Sequence, residues 1–273
     1  MKKLDVINLE EVSKFVRKLV IEMIAEAGSG HLGGSLSCVD ILTSLYFHKM
    51  RINSKNSDLE NRDRFILSKG HAAPALYAIL ALRGFFPIDE LKTLRKINSM
   101  LQGHPEGVSI PGVEISTGSL GQGLSVGIGM ALAAKHENSD YKTYVLLGDG
   151  ELQEGQIWEA AMFASHHRLD NLIAIVDRNG LQQTGTTESI VSIEPIAKKW
   201  EAFGWEVFEV DGLDIKEIID ALDSAEKIRN KPKVIIAYTI KGKGVPIIEW
   251  KQASHTYEGY KKLEKILKNL EEE

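Results

Sequence analysis

The sequence predicts an α/β fold: one domain in which a parallel sheet carries helices on both faces. Three observations predict it. From residue 65 to 240, short apolar runs of strand length alternate with longer segments of helical spacing, the pattern of a helix-covered parallel sheet. The best defined repeat of that pattern runs from Tyr144 to Val176 as strand, glycine turn, helix and strand, one βαβ unit. No linker and no internal repeat divides the 273 residues, a length that buries one large core, so residues 1–273 read as a single domain.

Leu9 to Ala27 places Val12, Phe15, Val16, Leu19, Val20 and Met23 on one helical face, and Gly28 ends it. GSGHLGGSLS, residues 28–37, is too rich in glycine for a helix interior. It leads straight into an apolar helix, Cys38 to His48, so it is not a mere linker. His31 stands in its middle, on backbone that can approach a ligand closely. Residues 51–64 are polar and turn-rich. Phe65-Ile66-Leu67 is a short strand, and Ser-Lys-Gly-His joins it to a helix from Ala73 to Arg83. His71 therefore occupies a strand-to-helix junction, where an imidazole N–H can reach a phosphate oxygen. Gly103-His104-Pro105-Glu106 reads as a turn. Leu124 to Ala134 is helical despite Gly127 and Gly129, each costing a helix about 1 kcal/mol relative to alanine. Glycines tolerated there imply another backbone packed very close. A dinucleotide fingerprint is excluded, because the third glycine is misplaced and a polar turn replaces the required strand.

The central unit follows, from Gly148 to Asn179. Loops at both strand ends lie outside the carboxyl edge of a parallel sheet, where ligands bind. Asp149 and Asn179 are thus expected side by side. A carboxylate, an amide oxygen and the Leu181 carbonyl suit Mg²⁺, which takes oxygen ligands and shares phosphate oxygens with its substrate. Gly148 and Gly150 let the chain turn sharply beside a ligand. The helix after them, Gln153 to His167, directs amide groups at the same place, which favours an anion. Glu154 and Glu159 lie on that helix, where glutamate is an ordinary surface residue, and their spacing of five shares no stripe. His48, His136, His166 and His167 read as surface residues.

Beyond Asn179, LQQTGTTES is a polar loop. A helix is expected over Glu194 to Phe203, a strand over Trp205 to Val210, and an amphipathic helix over Asp214 to Ile228. Lys233 to Thr239 is a buried β-branched strand. Lys241 and Lys243, each followed by a glycine, could hold phosphate but belong to no phosphate-loop pattern. Tyr260 to Glu273 reads as a charged surface helix.

Composition excludes several classes. A net charge of −5 leaves no basic footprint for nucleic acid. The one cysteine, Cys38, permits neither an intrachain disulfide nor a thiolate metal cluster. The N-terminus has no apolar run of signal length, and no run reaches membrane-spanning length, so the expected location is the cytoplasm.

GDGELQEGQIWEA (residues 148–160) with Asn179 resembles the thiamine diphosphate signature in its transketolase form. Further motifs resemble that family in the same order: Ser29-Gly30-His31, Leu67 to Ala72, Gly103 to Glu106, and TGSLGQG from Thr117 to Gly123. The resemblance runs from about residue 9 to 250 and implies the diphosphate-binding module fold. It implies a thiamine diphosphate- and Mg²⁺-dependent transfer of a two-carbon ketol unit from a ketose phosphate to an aldose phosphate. By resemblance, Asp149, Asn179 and the Leu181 carbonyl hold Mg²⁺. His71, Gly150 and the backbone of Gly118, Ser119 and Leu120 hold the cofactor, with Asp149 and Asn179. Glu154 and Glu159 match positions close to the cofactor, in a carboxylate network joining two active sites. His31, His104 and His255 match catalytic histidines that bind sugar hydroxyls and move protons, and His255 also meets the diphosphate. Ser119 replaces the family's proline, and the wording around His255 departs from the family's.

The family's pyrimidine-binding domain has no counterpart in this sequence. The resemblance therefore implies a partner chain, a C-terminal transketolase subunit, in a dimer of heterodimers. The sugars are not specified. Alternatives are a deoxyxylulose-phosphate synthase-like subunit, a 2-oxo-acid dehydrogenase-like subunit, or a non-catalytic subunit of this fold. The wording at His71 and at Gly118 to Gly123 speaks against the first, and the intact Asp149–Asn179 pair against the last.

Overall fold

The structure, a computed structural model, describes residues 5–55, 61–252 and 255–256. The charged helix expected over Tyr260 to Glu273 lies outside the described residues. The chain opens with helices α1 (Val6–Ala27), α2 (Leu32–Leu36) and α3 (Val39–Ser44). Then come β1 (Arg64–Leu67), α4 (Ala73–Leu82), α5 (Gln122–His136), β2 (Thr143–Gly148), α6 (Gly155–His166) and β3 (Leu172–Arg178). The rest is α7 (Thr187–Ile190), α8 (Ile196–Ala202), β4 (Glu206–Asp211), α9 (Ile215–Ala225) and β5 (Lys233–Tyr238). Among the described residues the strands form one sheet in the order β1-β2-β3-β5-β4, with every neighbouring pair parallel.

Handedness explains the layers. Parallel crossovers are right-handed. The steps from β1 to β2, β2 to β3 and β3 to β4 all advance the same way across the sheet, so α5, α6 and α8 cover one face. The step from β4 back to β5 reverses direction, and α9 lands on the opposite face, beside α1, α3 and α4. Side chains alternate between the two cores accordingly. In β2, Tyr144 and Leu146 pack with α1, α4 and α9, while Val145 and Leu147 pack with α5, α6 and α8. All five carboxyl ends consequently face one edge, and the candidate site residues gather there.

Several elements depart from the sequence expectation. Residues within the glycine-rich stretch form α2, although glycine density argues against a helix. Gly34 is required there because the His71 ring lies 3.0 Å from where a Cβ would be, so contact outweighs propensity. The expected helix Cys38 to His48 divides into α3 and a π-helical turn, Leu45–Lys49. The helix expected from Gln153 begins instead at Gly155, after a 3-10 turn over Gly150–Gln153. The polar loop after Asn179 contains α7, capped by the Thr186 side chain on the Ser189 N–H.

The glycines of α5 have different causes. A Cβ on Gly123 would lie 2.5 Å from Ser68, and one on Gly127 would lie 2.5 Å from Val145 Cγ2. Their close neighbours are therefore residues of this chain, one just past β1 and one in β2. Gly129 has nothing within 4 Å. Gly127→Ala should accordingly destabilise the chain by about 1–3 kcal/mol through overpacking, and Gly129→Ala should stabilise it by up to about 1 kcal/mol. Urea denaturation of both variants checks this, and equal effects would contradict the packing assignment.

Candidate active site

A cavity of about 390 Å³ opens at the carboxyl edge of the sheet. Its walls come from the loops after β1, β2, β3 and β5, and from the stretches around His31 and His104. Parallel pairing sets Gly148 of β2 beside Asp177 of β3, and the Asp149 N–H donates to the Asp177 carbonyl at 3.3 Å. This register brings Asp149 and Asn179 to one wall.

Asp149 is 2% exposed. Its Oδ1 accepts the Gly150 N–H at 2.7 Å, and its Oδ2 accepts the Gly180 N–H at 2.6 Å and Arg178 Nη1 at 3.1 Å. Burial, then the neighbouring Asp177 charge, pushes its carboxyl pKa up. Asn179 Nδ2 donates to Asp177 Oδ2 at 3.1 Å, and its Oδ1 accepts the Leu181 N–H at 3.2 Å. The Leu181 carbonyl accepts Lys241 Nζ at 2.9 Å, and the same ammonium reaches the Gln182 carbonyl at 3.3 Å. Burial, then the Lys69 charge, lowers Lys241 to about 8.

These oxygens fit a hard cation. They offer one carboxylate, one amide and one carbonyl, and each accepts fewer bonds than its lone pairs allow. The Leu181 carbonyl already faces a cationic group. Among the described residues no group of three His, Cys, Asp or Glu side chains is placed to hold a metal ion. A metal on this wall thus depends on oxygens from a phosphorylated ligand, as Mg²⁺ characteristically does.

Four histidines share the cavity. The His31 ring centroid lies 5.4 Å from that of His71, 5.9 Å from His104 and 5.3 Å from His255, and His71 lies 5.4 Å from His255. Burial, then Arg95, holds His31 at about 4, and burial, then Lys241, holds His255 at about 4. His71 is pushed well down by burial and Lys69, and His104 down by burial and Arg95. All four are therefore neutral near pH 7 and can accept protons. Lys241 Nζ lies 3.1 Å from His255 Nδ1. An ammonium only donates, so Nδ1 accepts and the ring proton rests on Nε2.

Gly118 and Leu120 line the cavity, whereas Ser119 is exposed and does not. Glu154, just before α6, and Glu159, on it, are likewise exposed and line no part of the cavity. A second acid on this wall, beside Asp149, is Glu151, 1% exposed, which sequence reading passes over. It accepts the Gly121 N–H at 2.7 Å, the Gly148 N–H at 2.9 Å and the Ser68 hydroxyl. One side chain thus ties together three loops of the cavity. Burial raises its pKa against those bonds. Lys69 is a further cavity residue that the sequence does not single out, and Lys241, which the sequence offers as a phosphate-holding lysine, lines the same cavity. Their signal is local: each stands beside a glycine shortly after a strand.

Comparison with known proteins identifies the family. Residues 9–263 match the family described as transketolase, thiamine diphosphate binding domain. The chain is 46% identical over 261 residues to one of the subunits of an apulose-4-phosphate transketolase from Phocaeicola vulgatus, covering 94% of this chain and 92% of that one. It is 48% identical over 249 residues to SqwG, a 6-deoxy-6-sulfo-D-fructose transketolase subunit of a Clostridium species, covering 91% and 90%. The crystal structure of Pichia stipitis transketolase with sedoheptulose-7-phosphate superposes with a TM-score of 0.91 at 37% identity, covering 97% of this chain but 40% of that one. No helix among the described residues is long and apolar enough to cross a membrane. The chain belongs to the transketolase family, as its N-terminal, thiamine diphosphate binding domain.

Proposed function

We propose that this chain is the diphosphate-binding subunit of a split transketolase that moves a two-carbon ketol unit from a ketose phosphate to an aldose phosphate. The observation that carries the reading is the convergence of the Asp149–Asn179 pair, Lys241 and four neutral histidines in one cavity. Asp149, Asn179 and the Leu181 carbonyl would hold Mg²⁺. Lys241, His71 and the Gly150 N–H would hold the diphosphate, and the backbone of Gly118 and Leu120 would meet the pyrimidine. Thiamine diphosphate, when bound, supplies a carbon nucleophile that carries the two-carbon fragment between sugars. His31, His104 and His255 would bind sugar hydroxyls and take up or return their protons, work suited to neutral imidazoles.

Thiamine chemistry also needs a carboxylic acid against the pyrimidine. Both similar subunits named above are of about this chain's length. The superposed transketolase is much longer. A partner chain carrying the pyrimidine-binding domain, in a dimer of heterodimers, would complete the site. The sugars in the relatives' names, apulose-4-phosphate and 6-deoxy-6-sulfo-D-fructose, each carry an anionic group. A screen of ketose donors against aldehyde acceptors identifies the sugars used here.

Three outcomes test this reading. Asp149→Asn should abolish the Mg²⁺ dependence of thiamine diphosphate binding in calorimetry, and an unchanged dependence would remove the metal assignment. His255→Ala should lower kcat/KM of the reconstituted enzyme by about 10²-fold or more, the range for a lost proton-transfer group. Wild-type kinetics would place His255 outside the chemistry. The chain alone should bind cofactor weakly and transfer no ketol unit until the partner is added. Full activity at a mass showing no second protein would refute the split-enzyme reading.

A further inference from the structure

Arg178 ends β3, one residue before Asn179, and its side chain is 11% exposed. Its guanidinium makes four bonds. Nη1 donates to Asp149 Oδ2 at 3.1 Å and to Thr187 Oγ1 at 2.5 Å. Nη2 donates to Glu188 Oε1 at 2.9 Å and to Glu194 Oε1 at 3.1 Å. An exposed ion pair with one partner contributes little. A mostly buried planar fork with four acceptors has one geometry and fixes its neighbours in it.

The consequence falls on Asp149. Its Oδ2 takes donors from both Arg178 and Gly180, so the carboxylate cannot rotate without breaking both bonds. Oδ1 accepts the Gly150 N–H alone and keeps a free lone pair. Charge is balanced as well. A lone cation this close to Asp149 would oppose a metal ion there. Here Glu188 and Glu194 face the same guanidinium and offset it.

We propose that Arg178 is a positioning residue for metal binding. It locks the Asp149 carboxylate with Oδ1 available, and it braces that carboxylate against the segment from Thr187 to Glu194, whose Ile190 lines the cavity. The inference rests on the reading that Asp149 holds the metal. Partners that orient a metal ligand change affinity by about 10- to 100-fold when removed.

Calorimetric titration of the full chain with thiamine diphosphate at stepped Mg²⁺ concentrations tests it. Arg178→Met should raise the half-saturating Mg²⁺ concentration about 10- to 100-fold. Cofactor affinity at saturating Mg²⁺ should stay within about twofold of wild type, because the metal's excess restores occupancy by mass action. Arg178→Lys keeps the charge but cannot span both groups of acceptors, so its shift should be intermediate. Glu188→Gln with Glu194→Gln should shift the Mg²⁺ requirement the same way, by uncompensating the guanidinium. Both glutamates are exposed, so this variant reads the brace even where Arg178→Met fails to fold. An unshifted or tighter Mg²⁺ requirement in either variant overturns the inference, as does an equal loss of cofactor affinity at every Mg²⁺ level. Asp149→Asn separates the two readings. If it leaves the Mg²⁺ dependence intact, the metal assignment falls; if it abolishes that dependence while Arg178→Met shifts nothing, only the role of Arg178 falls.

Discussion

The ion pair between Lys69 and Asp177 holds the edge of the sheet on which the site is built. Its members are 1% and 0% exposed, so neither charge can turn to water. Burial alone would lower the lysine pKa and raise the aspartate's. Their mutual attraction wins, and each is shifted toward its charged form. The remaining valences are filled from other segments. Lys69 Nζ donates to the Gly34 carbonyl at 2.8 Å, the Ser37 hydroxyl donates to Asp177 Oδ2 at 2.7 Å, and the Thr239 hydroxyl donates to Asp177 Oδ1. Asn179 adds a fourth contact to the same carboxylate. The loops after β1, β3 and β5, and the stretch that carries His31, are therefore tied at one point. Breaking such a pair by removing one partner costs about 3–5 kcal/mol. A site residue on any of these loops inherits its position from that pair.

Topology supplies what the ion pair fixes. Because every strand runs the same way, the loops that can carry chemistry all emerge at one edge. Because the chain returns from β4 to β5, the loop holding Lys241 emerges beside β3 rather than at the rim. That return places the Lys241 ammonium on the Leu181 carbonyl although the two residues are sixty positions apart. Without the reversal, the cation and the oxygens it faces would lie on strands that do not touch.

The fold class is legible because strand and helix periods alternate plainly between residues 65 and 240. Asp149 and Asn179 are legible because one βαβ unit fixes their relation locally. The histidines at 31, 71 and 104 are marked by their glycines. Glu151, Arg178 and Lys69 are not legible, because each acquires its meaning from a partner on another strand or loop. Glu151 looks like one more acid in an acidic turn until Ser68 and Gly121 arrive from elsewhere. Arg178 looks like a surface charge until α7 folds back on it. Conversely, Glu154 and Glu159 stand out by resemblance, yet both are exposed and line no part of the cavity. A site assigned to a partner chain's contacts cannot be read from one chain's cavity, which is why those two residues stay outside it.

Charge explains how the same cavity would serve two tasks. Lys69 and Lys241 stand on one wall, Lys69 paired with Asp177 and Lys241 facing only carbonyls and an imidazole, and the unpaired side of Lys241 favours an anion. The same lysines, with burial, keep the imidazoles of His71 and His255 from protonating. His255 feels this most directly, through the 3.1 Å contact of its Nδ1 with Lys241 Nζ. An anionic oxygen settled on Lys241 offsets that charge. His255 would then lose the Lys241 part of its depression, while the larger part, burial, would stay. His104 lies outside this circuit, held down by burial and Arg95. The basicity of His255 would thus be coupled to the diphosphate through Lys241, which stands between a carbonyl wall and that imidazole.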